Sequence, residues 1–422
     1  MRKYLENLTP EIKKLIGLCA KVAEEQGFRV YLVGGFVRDL ILGVANLDLD
    51  IVVEGDGIKF AEELALRFKA GLVRHRRFGT ATVILGPNSK IDIASAREEC
   101  YPEPACLPSV KSGTVKDDLK RRDFSINAMA ISLNQEDYGA LIDFFNGLDD
   151  LRYKKIRILH ALSFIDDPTR ILRAIRFEKR YNFRLEATTL KHLKEAVKLK
   201  MLEHVEPQRL RDELILVLKE EWPIKPIKRI QQLAGFSFIH PRLILAKNNF
   251  QLLQSARKQA LWFKKAHPQR RTLEAWLIYL MALFEALKIK DIKAVLETFV
   301  FSKGEKKRII TCKKISKNFI HKLSKKEIKP SIIFHSLDPL SYEAILLLKA
   351  KYKNKHFNKH IEDFLKIYNS LRLSVTGHDL AKLGFKPGPQ YQKIFLKLFN
   401  GRLDGEVHNK EEELEFIKKI AP

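Results

Sequence analysis

Val30–Glu54 reads VYLVGGFVRDLILGVANLDLDIVVE, and the order of its parts decides the fold. The apolar run Val30, Tyr31, Leu32, Val33 predicts a buried strand, which Gly34-Gly35 breaks. Phe36 to Leu42 predicts a short helix closed by Gly43, and Leu47 to Val53 a second strand carrying Asp48 and Asp50. Side chains two apart on a strand share a face, so both carboxylates emerge side by side between apolar neighbours. Two such carboxylates repel and are costly to bury. A divalent cation is the usual compensation, and hard oxygen ligands suit magnesium. The glycine pair lets the backbone approach a ligand, and the N–H groups opening the next helix suit phosphates. A lone Gly-Gly is usually a turn and a lone Asp-x-Asp usually solvated surface. In this order they make a phosphoryl-transfer arrangement.

Together, GG-x-VRD, then Gly43, then D-x-D resembles the nucleotidyltransferases of the polymerase beta superfamily. Within it the chain is similar to the class II tRNA nucleotidyltransferase and bacterial poly(A) polymerase family. The resemblance implies an α+β architecture: a polymerase-beta-like head with a mixed sheet over residues 1–158, followed by all-helical parts. These would be a base-reading neck at 159–225, a body at 226–370 and a tail module at 371–422, the last two binding RNA. It further implies two magnesium ions held by Asp48 and Asp50, with Gly34, Gly35 and Arg38 helping to hold phosphates.

Two later motifs carry the resemblance on. Arg121-Arg122-Asp123-Phe124-Ser125-Ile126-Asn127-Ala128 is close to the family's RRDF-T-INA, with serine for threonine. Two arginines beside a triphosphate supply charge-assisted, forked hydrogen bonds, and Asn127 can orient backbone or ribose. A helix-capping Asp-Phe-Ser turn is the other reading. The second motif lies in FIDDPTRILRAIRF, Phe164 to Phe177. Asp166 is the expected N-cap, with Pro168 in the first turn. Asp167, Arg170, Arg173 and Arg176 recur every three residues among apolar neighbours. Three arginines on a largely buried helix are expensive unless they meet phosphates or bases, and an Asp167–Arg170 pair leaves the other two unexplained. This stretch resembles the family's E-D-x-x-R, with Asp166 where glutamate is usual. The resemblance implies that Asp167 and Arg170 read the Watson–Crick edge of the incoming C or A, with Arg173 and Arg176 in support. An acceptor and a forked donor match the amine and ring nitrogen of either base.

Composition agrees with a nucleic-acid partner. Across 422 residues the formal net charge is +26, and 45% hydrophobic content excludes global disorder. Such charge predicts a polyanion, nucleic acid first; a lysine-rich proteome is the alternative. The length allows two to four structural units. Cys19, Cys100, Cys106 and Cys312 show no paired metal-ligand spacing and read as reduced thiols. The N-terminus MRKYLENLTPEIKKL reads as an amphipathic helix rather than a signal peptide, and no 18-residue apolar run occurs. The expectation is a cytoplasmic protein, without membrane or required protein partner.

The remaining elements follow from periodicity. Leu15, Leu18, Cys19 and Val22 form one helical face, and Ile58 to Lys69 a second amphipathic helix. Strands are expected at Ala81–Leu85 and Lys90–Ala94 around a Gly86-Pro87-Asn88 turn. Asp92 on the latter is either a third metal-ligating carboxylate or a strand-edge acid. Ser95 to Lys116, with three prolines and no period, reads as a long loop; the resemblance makes it a flexible element that adjusts nucleotide specificity. Leu141–Phe144 and the following turn leave the head. SVTGHDLAKLGFKPGPQYQKIF near the C-terminus resembles the family's tail module, and His378-Asp379 lacks the companions of a metal hydrolase. The combined expectation is template-independent addition of CCA, or only CC or only A, to the 3′ end of tRNA from CTP and ATP. The alternatives are a poly(A) polymerase, whose basic signature Arg76-Arg77-Phe78 matches without its leading glycine, and a non-catalytic RNA-binding module, which intact Asp48 and Asp50 oppose.

Overall fold

Strands apolar on both faces must be covered on both faces, and this governs where Val30–Val33 and Ile51–Val53 go. In the computed structural model, which describes residues 2–44, 48–86, 89–100, 102–106, 108–269 and 273–420, they lie at the centre of a sheet. Among the described residues that sheet has seven strands in the order β3-β4-β5-β2-β1-β8-β9. These are β1 (Arg29–Val33), β2 (Leu49–Glu54), β3 (Gly71–His75), β4 (Thr80–Gly86), β5 (Ser89–Ser95), β8 (Ala130–Ser132) and β9 (Leu141–Ile142). β2 and β5 run parallel; the other neighbours are antiparallel, which makes the sheet mixed. Leu47, Pro87, Asn88 and Tyr101, on which parts of the expected strand, turn and loop fall, lie outside the described residues.

Helices α1 (Arg2–Glu6), α2 (Pro10–Gln26), α3 (Gly35–Leu42) and α4 (Gly57–Phe68) precede the hairpin described next. The buried face of α2 is Ile12, Ile16, Cys19, Val22 and Ala23, and Leu15 and Leu18 are half-buried at its edge. The expected face was therefore turned by part of a residue step. Burial pushes the Cys19 thiol up to about 12, so it is a core residue without thiolate chemistry. On the opposite side of the sheet Tyr31, Val33, Val52 and Ala130 pack with Val115 and Leu119.

Ser95–Lys116 is not an irregular loop. β6 (Arg97–Cys100) and β7 (Ser109–Ser112) form an antiparallel hairpin, with Arg97 opposite Ser112 and Cys100 opposite Ser109. Its period of two is carried by charge rather than hydrophobicity: Arg97 and Glu99 are half-buried, Glu98 and Cys100 exposed. Helix α5 (Val115–Lys120) follows, capped by Thr114. The chain leaves the head through a helix, α6 (Gly147–Arg152), and then α7 (Ser163–Asp166), α8 (Thr169–Arg180), α9 (Ala187–Lys198), α10 (Pro207–Leu218) and α11 (Ile224–Leu233).

Two compact units result, Met1–Phe238 and Ile239–Pro422. The second is helical among its described residues. Its helix Ala275–Phe284 is buried on all sides. Ser331 donates through N and Oγ to Asp404, each at 2.8 Å, tying Pro330–Leu337 to Pro389–Asp404. Asp379 accepts from Thr376 and pairs with Lys410 as a helix-capping acid. Among the described residues no single helix is long and apolar enough to cross a membrane.

Candidate active site

The break between β1 and α3 brings backbone to the mouth of a cavity of about 770 Å3. Gly34, Gly35, Arg38, Asp48, Asp50, Arg121, Arg122, Asn127, Asp167, Arg170, Arg173 and Arg176 all line it, so the sequence-predicted residues converge there; Asp92 does not line it. Asp48 stands just before β2 and is exposed, whereas Asp50 on β2 is half-buried. Burial pushes the Asp50 carboxyl up to about 6; Arg122 opposes the shift, and Asp92 and Asp48 add to it. Asp92 is the β5 register partner of Asp50. Its own carboxylate accepts from Thr82 Oγ1 at 2.6 Å and pairs with Lys90. Among the described residues no group of three His, Cys, Asp or Glu is assembled to hold a metal. Asp48 and Asp50 are two of the carboxylates that line the cavity. A desolvated carboxylate crowded by like charge fits a divalent cation that takes its other oxygens from water and substrate.

Gly34 has φ 68 and ψ −129, and a Cβ there would lie 2.6 Å from a terminal nitrogen of Arg122 and 3.8 Å from Asp50 Oδ2. Arg122 cannot simply yield, because Asp118 Oδ2 holds its NH2 at 2.9 Å. Gly34→Ala is therefore expected to weaken ATP binding roughly 10-fold, about 1–3 kcal/mol of strain and displaced contact. Calorimetric titration with a non-hydrolysable ATP analogue measures it. Undiminished affinity would remove the requirement for close approach at Gly34.

The arginines are held by carboxylates that the sequence reading did not single out. Asp118, fully buried, accepts from Arg121 Nε and NH2 at 2.9 and 2.6 Å as well as from Arg122. Burial would raise Asp118, but Arg122 and Arg121 outweigh it and hold the carboxyl below its ordinary value. Arg121 also donates to Glu99 Oε1 on β6 at 3.0 Å. Arg38 forks onto Asp39 at 2.8 and 2.9 Å and donates to Asn127 Oδ1 at 2.5 Å. It lies over the Phe177 and Tyr181 rings at 5.3 and 4.9 Å. Asn127 in turn donates to Asp123 Oδ1 at 2.9 Å.

On the helical side two expectations are corrected. Asp166 ends α7, and it is Asp167 that caps α8: its Oδ1 accepts from Thr169 N at 3.2 Å and Oγ1 at 2.6 Å. Arg209 of α10 donates to the same oxygen at 2.8 Å. Phosphates and bases are also not needed to account for half-buried Arg173. Arg173 donates to Asp123 Oδ2 at 2.9 and 2.7 Å and to Glu213 Oε1 at 3.0 Å. Arg176 lies 3.6 Å from both Glu213 and Glu220. Arg170 donates to Ser163 Oγ at 2.7 Å and to the Arg121 carbonyl at 2.9 Å, with its Nε 4.0 Å from Asp167 Oδ2. The Asp118–Arg121–Arg122 pairing was open to discovery from its i, i+3, i+4 spacing. Glu213 lies in residues 206–214, a stretch that resembles a structural motif of the family but does not point to Arg173 or Arg176 as its partners.

Comparison with known proteins agrees with this geometry. The Poly A polymerase head domain model matches residues 30–157. The chain is 36% identical over 426 residues to the A-adding tRNA nucleotidyltransferase of Geobacter sulfurreducens, covering 100% of this chain but 48% of that protein, about half its length. It is 32% identical over 423 residues to the A-adding tRNA nucleotidyltransferase of Halalkalibacterium halodurans, 98% of this chain and 93% of the relative. The solved Thermotoga maritima CCA-adding enzyme complexed with tRNA superposes with a TM-score of 0.74 at 35% identity, over 99% of this chain and 98% of that one. A head-domain match that contains the Gly-Gly turn, both aspartates and the paired arginines, together with a relative aligned almost end to end, means that this chain belongs to the tRNA nucleotidyltransferase family built on a poly(A) polymerase head.

Proposed function

We propose that the chain adds nucleotide to the 3′ end of tRNA without a nucleic acid template, and that its own step is the terminal A, from ATP onto tRNA ending in CC. The observation that carries the transfer chemistry is that Asp48 and Asp50 line one cavity with Arg121 and Arg122. The choice of A rests on two relatives aligned over nearly the whole chain at 36% and 32% identity, both A-adding. Complete CCA addition from CTP and ATP is the second reading, favoured by the likeness to the Thermotoga maritima CCA-adding enzyme. Incubation with tRNA lacking CCA, ending in CC, or complete, each with labelled CTP or ATP, decides between them. One A on the CC-ended tRNA alone is expected; CTP incorporation on tRNA lacking CCA overturns the A-only reading.

Asp48 and Asp50 hold divalent metal, magnesium by its preference for hard oxygens. When bound, the metal neutralises the triphosphate and makes the attacking 3′-hydroxyl more acidic. The chain's own groups do the rest. Arg121 and Arg122, locked in place by Asp118, face the triphosphate, and the N–H groups beginning α3 add donors. Arg38 and Asn127, both occupied within the protein, fix the wall on which the nucleotide rests. With Asp167 Oδ1 taken by Thr169 and Arg209, Oδ2 is the acceptor that meets the exocyclic amine, while Arg170 Nε donates to the neighbouring ring nitrogen. The lysine-rich helical faces beyond Ile239, such as Lys303–Lys313, take the RNA backbone. Cys100 and Cys106, exposed and unpaired, suit the reducing cytoplasm.

Asp167→Asn keeps an oxygen for the α8 cap and replaces the other with a donor. It is expected to raise UTP and GTP use relative to ATP and CTP by roughly 1–3 kcal/mol, about 5- to 150-fold. Arg173→Ala, whose guanidinium is spent on Asp123 and Glu213, should slow all four nucleotides alike. kcat/KM for the four triphosphates on one acceptor is the measurement. Unaltered base ratios in folded Asp167→Asn would remove the base-reading role.

A further inference from the structure

Arg38 and Asp39 of α3 are almost fully buried, at 5% and 4% exposure. Adjacent side chains on a helix normally diverge, yet Arg38 forks back onto Asp39 and places its third nitrogen on Asn127. A buried ion pair is costly unless its remaining polar atoms are satisfied. The far end of α8 supplies what this pair needs. Tyr181, the residue that caps the C-terminus of α8, donates its hydroxyl to Asp39 Oδ1 at 3.2 Å, across 142 positions of chain. Its ring centre lies 4.9 Å from Arg38 Cζ, and that of Phe177 5.3 Å. The two rings are 5.9 Å apart and 28° from parallel. Packing alone asks only for a ring; the hydroxyl is what reaches Asp39. Burial pushes that hydroxyl up to about 12, with Arg38 opposing and Asp39 adding, so it stays a donor.

Tyr181 does not line the catalytic cavity, whereas Arg38 and Asp39 do. Its importance lies in the two helices it joins. α3 starts at the Gly34-Gly35 turn assigned to the triphosphate, and α8 starts beside Asp167 and Arg170, assigned to the base. At that start α8 is already held to the head, by Arg170 on the Arg121 carbonyl and by Arg173 on Asp123. Tyr181 lies three helical turns further on, about 16 Å along the axis. A helix tied at one end can pivot. Tied at both ends, its tilt is fixed as well as its distance.

We propose that Tyr181 is a positioning residue, which locks the end of α8 to α3 through Asp39 and so sets the register between the base-reading and triphosphate-holding parts of the site. The proposal rests on reading the cavity as the nucleotide site. Arg38, with three nitrogens engaged inside the protein, serves as the bolt, and Tyr181 as the latch that keeps it shut. A nucleotide that spans both parts then meets contacts already set at its own length.

The test uses the full chain with magnesium and calorimetric titration of two probes. A non-hydrolysable ATP analogue spans both parts of the site, and inorganic tripolyphosphate reaches only one. A rigid link between two contact points favours the ligand that bridges them and leaves a one-ended ligand unaffected. Tyr181→Ala is expected to raise Kd for the analogue roughly 10-fold, and Kd for tripolyphosphate by less than about 2-fold. Tyr181→Phe keeps the ring against Arg38, and with it the fold, and drops only the bond to Asp39; roughly 3-fold is expected for the analogue. Unchanged analogue affinity in both variants overturns the proposal. So does an equal loss for the two probes, which would make Tyr181 a local prop for Arg38 rather than a link between helices. Neither titration needs turnover. A chain that binds the analogue but adds no nucleotide therefore counts against the proposed function, while the Kd comparisons still decide this one.

Discussion

Asp50→Asn should abolish nucleotide transfer, by at least about 10^3-fold, while tRNA affinity stays within a few-fold. Asp48→Ala should do the same. On the proposed function the two carboxylates hold metal, whereas the basic surfaces elsewhere grip RNA. The structure adds a signature that a merely structural acid would not give. Burial, Asp92 and Asp48 all push Asp50 towards its neutral form, so its charge opposes folding. Asp50→Asn should therefore hold or raise Tm as activity disappears, the pattern of a site that sacrifices stability for function. Near-wild-type turnover at saturating magnesium would overturn the metal assignment.

Asp123→Ala is expected to have the largest effect on stability. Asp123 is 8% exposed and accepts from both Arg173 and Asn127. Removing it leaves the half-buried Arg173 guanidinium with Glu213 as its remaining partner and Asn127 without its acceptor, which costs roughly 1–3 kcal/mol, and thermal unfolding should show it. Burial alone would raise this carboxyl, but Arg173, Asn127 and Arg170 bring it down to about 2. In the unfolded chain it returns to about 3.9. The stability it contributes is thus fully present above about pH 4 and is lost as pH falls through about 2, because the unfolded state takes up its proton first. Asp123→Asn should flatten that acid limb. Identical acid profiles for the variant and the wild type would remove the Asp123–Arg173 pair as a stabilising contact.

What could be read from the sequence follows from where each signal is stored. β1 and β2 announced themselves because both their faces are apolar, and the Gly34-Gly35 break between them is local chemistry. The β6–β7 hairpin stayed hidden because its inward positions are Arg97 and Glu99, invisible to a search for hydrophobic alternation. The α2 face was misplaced because Leu15 and Leu18 are as apolar as Ile12 and Ile16, and only packing chooses between neighbouring stripes. At the site, local motifs delivered the residues but not their relations. Arg173 meets Asp123 across 50 positions and Glu213 across 40, and no spacing rule spans such distances. For that reason Arg173 looked as if it required a ligand when the protein had already supplied its counter-charge. One misassignment was smaller: with Asp166 and Asp167 adjacent, which of them capped α8 depended on where α7 ended.

The bond from Arg170 to the Arg121 carbonyl ties the group assigned to the base to the backbone of a group assigned to the triphosphate. On that assignment, a nucleotide tilted at one end would be tugged at the other. On the proposed function, a mismatched base that pulled Arg170 aside would shift the peptide of Arg121 and with it the bound triphosphate. Fidelity is then enforced as misalignment: wrong nucleotides should be admitted but processed slowly, with the penalty in kcat more than in KM.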